Sequence, residues 1–242
     1  MPGEQLVLDR FLEELAAGTP EPDSASRQKT GRRTLLSRER IHFAEIGGIA
    51  HLIAENYSYK SEAYYALLSR ELAGDSVAPD TASLLDAFIV PLCIERSRGA
   101  GIPVAECVIS HTYLPCPSVV YGLNYFACAS HYEVAKESTE ARDVVKHVTN
   151  GGKYPFCFQR LEEGASLERH VSLFGRVLEG GSREDLLAEK VYRTFRIPLV
   201  ELVCITGPGG TFLSSLCPVR YSQLSRDERE ILCSHITGQG LL

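Results

Sequence analysis

HLIAENYSYKSEAYY, residues 51–65, passes from an apolar run into four tyrosines, Tyr57, Tyr59, Tyr64 and Tyr65. GIAHLIAEN at 48–56 suits a buried strand, whereas SEAYYALLSREL at 61–72 places Tyr64, Leu67, Leu68 and Leu72 on one helical face. The stretch therefore predicts a strand feeding a helix, with Tyr57 and Tyr59 in the turn and Ser61 as the helix cap. Downstream, Gly74 and Asp75 supply a stop, DSVAP at 75–79 a second short strand, and Asp80 an N-cap for TASLLDAF. A β-α-β-α unit of this kind favours neighbouring parallel strands in a layered α/β or α+β fold.

Beyond it, FIVPLCI at 88–94, PVAECVIS at 103–110 and PSVVYGLNYFACA at 117–129 are apolar and β-branched enough to read as strands. YEVAKESTEARDVVKHV at 132–148 reads as a helix stopped by Asn150, Gly151 and Gly152. The C-terminal part predicts a helix over REDLLAEKVYRTF capped by Ser182, with Glu184 and Asp185 in its first turn, where the helix dipole favours anions. Pro198 opens PLVELVCI, GPGG at 207–210 turns the chain, and TFLSSLCPV returns as an antiparallel neighbour. Ser225 and Glu228 form a capping box for a last helix carrying Ile231, Leu232 and Ile236, which Gly238 ends.

At the other end, Leu8, Phe11, Leu12 and Leu15 give a short amphipathic helix. GTPEPDSASRQKTGRRT at 18–34 reads as a flexible tether, with Arg27, Lys29, Arg32, Arg33, Arg38 and Arg40 as a basic cluster in and after it. The expected division is residues 1–40 as helix and linker, and 41–242 as one domain with an insertion at about 88–170.

Composition narrows the function classes. At 242 residues and 44% hydrophobic, the chain can bury a sizeable core. A formal charge of −6 gives no overall footprint for nucleic acid or anionic membrane, and the basic cluster reads first as a solvated linker. No apolar run approaches the roughly 18–20 residues of a membrane helix, and the acidic start lacks the charge of a secretory signal. A cytoplasmic location is expected, with the eight cysteines reduced, since they are scattered without a CxxC pair and a chain of this length needs no disulfide staples to fold.

Several segments resemble the N-terminal domain that precedes RimK-like ATP-grasp ligases. They are NYSYKSEAYYALLSRELAGDSVAP at 56–79 with LLDA at 84–87, SLFGRV at 172–177, KVYRTFRIPLVELV at 190–203 and CPVRYSQLSRDERE at 217–230, in the family's order. The resemblance implies an α+β module that helps select or position the substrate of a peptide-forming ligase. It also implies a chain without the ATP-grasp catalytic half, since few residues follow 230, and hence no cofactor of its own. The expected partners are an ATP-grasp ligase chain or domain and a small amino-acid or peptide substrate.

Strand ends in open α/β sheets are biased toward ligand contacts, and first-turn N–H groups suit a carboxylate or phosphate. The candidate substrate- or partner-binding residues are therefore Asn56, Tyr57, Tyr59, Ser61 and Tyr65. Arg176, beside Gly175, joins them as a carboxylate or phosphate partner, while Tyr64 is expected in the core. His111, Cys116, Cys128 and His131 have the donor set of a tetrahedral zinc site, but Cys is as often a small buried hydrophobe, so no metal is expected. GPGGT lacks the Lys-Ser/Thr ending of a phosphate loop and reads as a hairpin. The leading expectation is a non-catalytic recognition or accessory module of an ATP-grasp-type amide ligase. A thiol- or zinc-dependent enzyme built on the Cys/His-rich segment, and an interaction protein with the N-terminal helix and tether as its arm, remain the alternatives.

Overall fold

The computed structural model describes residues 41–124, 127–178 and 180–236. The predicted N-terminal helix, the basic cluster and Gly238 lie outside the described residues. Strand β1 (Ile41–Ile46) pairs antiparallel with β2 (Ile49–Ala54) through a Gly47-Gly48 turn in which both glycines have positive φ. Helix α1 (Glu62–Ala73) follows, then β3 (Val77–Ala78), parallel to β2, so the strand–helix–parallel strand reading holds. Ser61 Oγ accepts from Tyr64 N at 3.1 Å, and Gly74 closes the helix in the left-handed region at φ 85°.

Two details of this unit differ from expectation. β1 was not predicted, because IHFAEI carries its own small sheet edge with little alternation to mark it. The buried face of α1 is Ala63 and Leu67, while Leu72 is 80% exposed, so the helix sits rotated from its apolar stripe and Tyr64 is only half-buried.

Asp80 Oδ1 caps α2 (Thr81–Phe88) by accepting from Ser83 N. FIVPLCI is not a strand: after Ile89 in extended conformation, Val90–Gly99 forms helix α3, with Pro91 in the first turn, where a missing N–H costs nothing. Arg96 of α3 donates to Asp86 (2.8 Å), Ser83 Oγ (2.7 Å) and Thr194 O (3.2 Å), fastening three helices together.

The next strands are β4 (Val108–Ser110), β5 (Ser118–Gly122), β6 (Glu133–Ala135) and β7 (Phe156–Arg160), in sheet order β4-β7-β5-β6. Both predicted strands here are shorter than expected. The predicted helix divides into β6 and α4 (Ser138–Val148), because Glu133–Ala135 pairs with β5 before the helix begins.

Strands β8 (Ser166–Leu173) and β9 (Arg176–Val177), helix α5 (Ser182–Phe195), strands β10 (Leu199–Gly207) and β11 (Gly210–Cys217), a 3₁₀ turn at Tyr221–Gln223 and helix α6 (Arg226–Ile236) complete the order. The sheet β11-β10-β8-β9 is antiparallel throughout, and the predicted hairpin turns between Gly207 and Gly210. Gly181, not Ser182, is the cap of α5, since Glu184 reaches back to accept from the Gly181 N–H at 2.8 Å. The Ser225–Glu228 capping box is present in both directions, at 2.7 and 3.3 Å.

Helices α1, α2, α3 and α5 close over β2, β10 and β11 in the main core, around Leu52, Leu67, Cys93, Phe195 and Leu216. α3 contributes Cys93 there and Val90 and Ile94 to a second core against β5, β7 and β10, so this part of residues 88–170 is built into the body. The mixed α/β architecture agrees with expectation. No helix among the described residues is long and apolar enough to cross a membrane.

Candidate functional site

The tyrosine corner divides into an inside and an outside. Tyr57 is 1% exposed: its ring stacks on Phe88 at 5.7 Å, its hydroxyl accepts from Ala54 N at 2.9 Å and donates to Leu52 O at 3.3 Å. It is not a rim contact. The hydroxyl satisfies two backbone groups where β2 runs out of strand partners, and burial raises its pKa. Ser61 is spent on its cap, and Asn56 Oδ1 accepts from Ser58 N at 2.9 Å in a side-chain turn. Tyr59 and Tyr65 face outward and flank Tyr64, edge-on at 5.2 and 5.8 Å, with the Lys60 ammonium 5.3 Å from the Tyr59 ring centre. An exposed aromatic ridge remains of the predicted site. Arg176 belongs to a different cluster, beside His235 on α6.

The zinc candidates are not brought together. Cys116 packs at the edge of the core under α4, while Cys128 approaches Ser130 Oγ at 2.9 Å. Among the described residues no group of three or more His, Cys, Asp or Glu is placed to hold a metal ion. All eight cysteines are free thiols, and burial pushes Cys93, Cys204 and Cys217 each up to about 12. Cys107 alone is lowered, by a hydrogen bond from the Cys157 thiol and by the nearby Arg98, against its partial burial.

Three histidines are held below their ordinary value of 6.5. Burial is the first cause for each, with Arg196 adding to it at His51 and Arg176 at His235. His235 stacks on Phe174 at 4.3 Å and His51 meets the same ring at 6.3 Å, so Phe174 joins α6 to β2. Because the unfolded chain takes up these protons first, the stability they allow is complete above pH 6.5 and is lost as pH falls through the lowered folded values. Urea midpoints are expected to drop between pH 7.5 and 5. His235→Phe, which keeps the stack, is expected to flatten part of that slope; an unchanged slope would remove His235 from the account.

A cleft of about 850 Å³ opens where the β4-β7-β5-β6 sheet meets the β10–β11 hairpin. Three connections build it. Residues 103–105 lie against β11, with Leu213 N donating to Pro103 O and Ala105 N to Leu213 O, both at 2.9 Å, and this sets Glu106 at the rim. Leu161 N donates to Pro117 O at 3.0 Å, holding the turn after β7 that presents Arg160, Glu162 and Glu163. The hairpin supplies Ile205, Gly209 and Phe212 as the facing wall. One guanidinium and three carboxylates over an apolar floor suit a ligand with cationic and apolar parts. On the other side of the hairpin tip, a hollow of about 470 Å³ carries Arg183 and Lys190.

None of the charged cleft residues is a candidate site residue in the sequence, where PVAECVIS reads only as a strand and GPGG only as a turn. QRLEEG at 159–164 is an ordinary charged turn there, and only the fold sets it opposite the hairpin.

Comparison with known proteins gives a fold. The chain is similar to a RimK domain ATP-grasp protein from Sphaerobacter thermophilus, with a TM-score of 0.53 at 14% identity over 73% of this chain and 77% of that one. It is also similar to D-alanine-D-alanine ligase from Helicobacter pylori, at 0.51 and 13% over 73% of this chain and 65% of the ligase. The ATP-grasp ligase PsnB, complexed with a phosphomimetic variant of its minimal precursor, Mg and ADP, scores 0.47 at 16% identity over 73% and 66%. No family model and no curated protein matches. The chain shares the overall fold of these ATP-grasp structures.

Proposed function

We propose that the protein is a non-catalytic recognition or accessory module working with an ATP-grasp-type amide ligase. The observation that carries this reading is the lining of its main cleft: Glu106, Glu162 and Glu163 outnumber Arg160, a charge pattern that repels a polyphosphate and attracts an ammonium or guanidinium. Mg-ATP needs only one or two protein carboxylates beside its own phosphates and waters, but the surplus of carboxylates over the single guanidinium in this cleft disfavours the polyphosphate that would bring the ion. No chemical step is therefore assigned to the chain. Its part would be to hold a basic amino-acid or peptide substrate, or the ligase itself, with the Tyr59–Tyr65 ridge as a second contact surface.

Calorimetric titration of the full chain with Mg-ATP, with phosphate release followed in parallel, tests the proposal. The expected result is no saturable uptake and no turnover, together with co-purification with an ATP-grasp ligase supplied as a separate chain. Saturable uptake with ADP formation would make the chain a catalyst and overturn the reading.

A further inference from the structure

We propose that β4 is a docking edge for an extended, lysine- or arginine-bearing peptide segment of a partner protein. The segment would add to the β4-β7-β5-β6 sheet as a fifth strand and direct its basic side chains into the cleft. The inference rests on the recognition reading of that cleft and names what it recognises.

β4 stands at the end of its sheet, paired with β7 over Val108–Ser110 and with no strand on its other side among the described residues. Successive strand residues point to opposite faces, yet Val108 and Ile109 are 41% and 57% exposed, so both faces of this edge are uncovered. Tyr113, 68% exposed, lies edge-on to Phe158 at 6.3 Å, and Phe158 is the register partner of Val108. These three residues form an apolar strip along an unpaired edge, a feature that folded proteins ordinarily cover or charge.

The charge pattern identifies the occupant. Val108 and Phe158 line the cleft, as do Glu106, two residues before Val108, and Arg160, two residues after Phe158. An added strand would place alternate side chains on this same face. There they meet three carboxylates and one guanidinium, which favours lysine or arginine at every second position. The intervening side chains would cover Ile109 on the opposite face, which favours valine or isoleucine there.

The test uses the full chain and a fluorescent, end-capped octapeptide of alternating valine and lysine, read by polarisation. Saturable binding is expected, weakening with added salt, and about tenfold weaker for the Glu106→Gln/Glu162→Gln/Glu163→Gln variant, since exposed ion pairs are individually modest. Alternating valine and glutamate should not bind. Strand N–H groups alternate between the two edges, so of two peptides N-methylated at all valines or at all lysines, one should lose binding and the other keep it.

Equal behaviour of the two methylated peptides would overturn strand addition while leaving recognition by the cleft standing. Failure of the full chain to take up the peptide at any concentration would overturn the proposal in favour of a site filled by its own basic segment. A peptide-excluding dimer in native mass spectra would assign the edge to a second copy and overturn it likewise. Saturable Mg-ATP turnover without any change in peptide binding would sink only the accessory reading.

Discussion

Tyr57→Ala is expected to destabilise the fold by about 3–5 kcal/mol, the range for removing a large aromatic from a core. The ring is 1% exposed and stacked on Phe88, so truncation leaves a cavity between β2 and α2. It also orphans the Ala54 N–H and removes a donor from Leu52 O. Tyr57→Phe separates the two contributions: it keeps the packing and is expected to cost about 1–3 kcal/mol, the value of one buried donor left unpaired. Urea unfolding of the three proteins measures both steps. Equal midpoints for Tyr57→Phe and the parent would show that the hydroxyl bridge contributes nothing.

Gln159→Leu is expected to cost about 2–4 kcal/mol despite adding an apolar side chain at a fully buried position. Gln159 Nε2 donates to Ser214 O at 2.9 Å, its Oε1 accepts from Ser214 Oγ, and Tyr121 hydroxyl meets the same Oγ at 2.6 Å. Gln159, Ser214 and Tyr121 are buried where β7 and β5 meet β11, so this network ties the two four-stranded sheets together beneath the cleft. Leucine leaves the Ser214 carbonyl unpaired and its hydroxyl half-satisfied, at about 1–3 kcal/mol for each orphaned group. A double-mutant cycle with Ser214→Ala checks the mechanism. Coupling of about 0.5–3 kcal/mol is expected, and strict additivity would show that the two residues act apart.

Local signals carried much of the fold. Ser61, Gly74, Asp80, Ser225 and Glu228 all stand at the helix ends where their side chains or backbone freedom are used. The GPGG turn also placed the β10–β11 hairpin correctly. Failures occurred where local sequence permits two states. FIVPLCI is as apolar as a strand, but it becomes α3 because Pro91 opens a helix whose buried side fills space between two cores. Glu133–Ala135 looks helical in its own window and becomes a strand because β5 offers it a ladder.

The candidate site shows the same division more sharply. A tyrosine after a strand announces a corner, but whether its hydroxyl meets solvent or two backbone groups depends on where Phe88 and the end of β2 lie. Tyr57 turned inward, and Tyr59 and Tyr65, with the same side chain, turned out. The sequence by itself determined the mixed α/β class, most helix caps, the hairpin and the crowding of tyrosines at one corner, all set within a few residues of chain. Only the tertiary structure decided that the main cleft lies elsewhere. Its glutamates and arginine come from residues 106 and 160–163, facing a hairpin at 205–212. Charges so far apart in sequence acquire a common field only when the sheets that carry them are packed together.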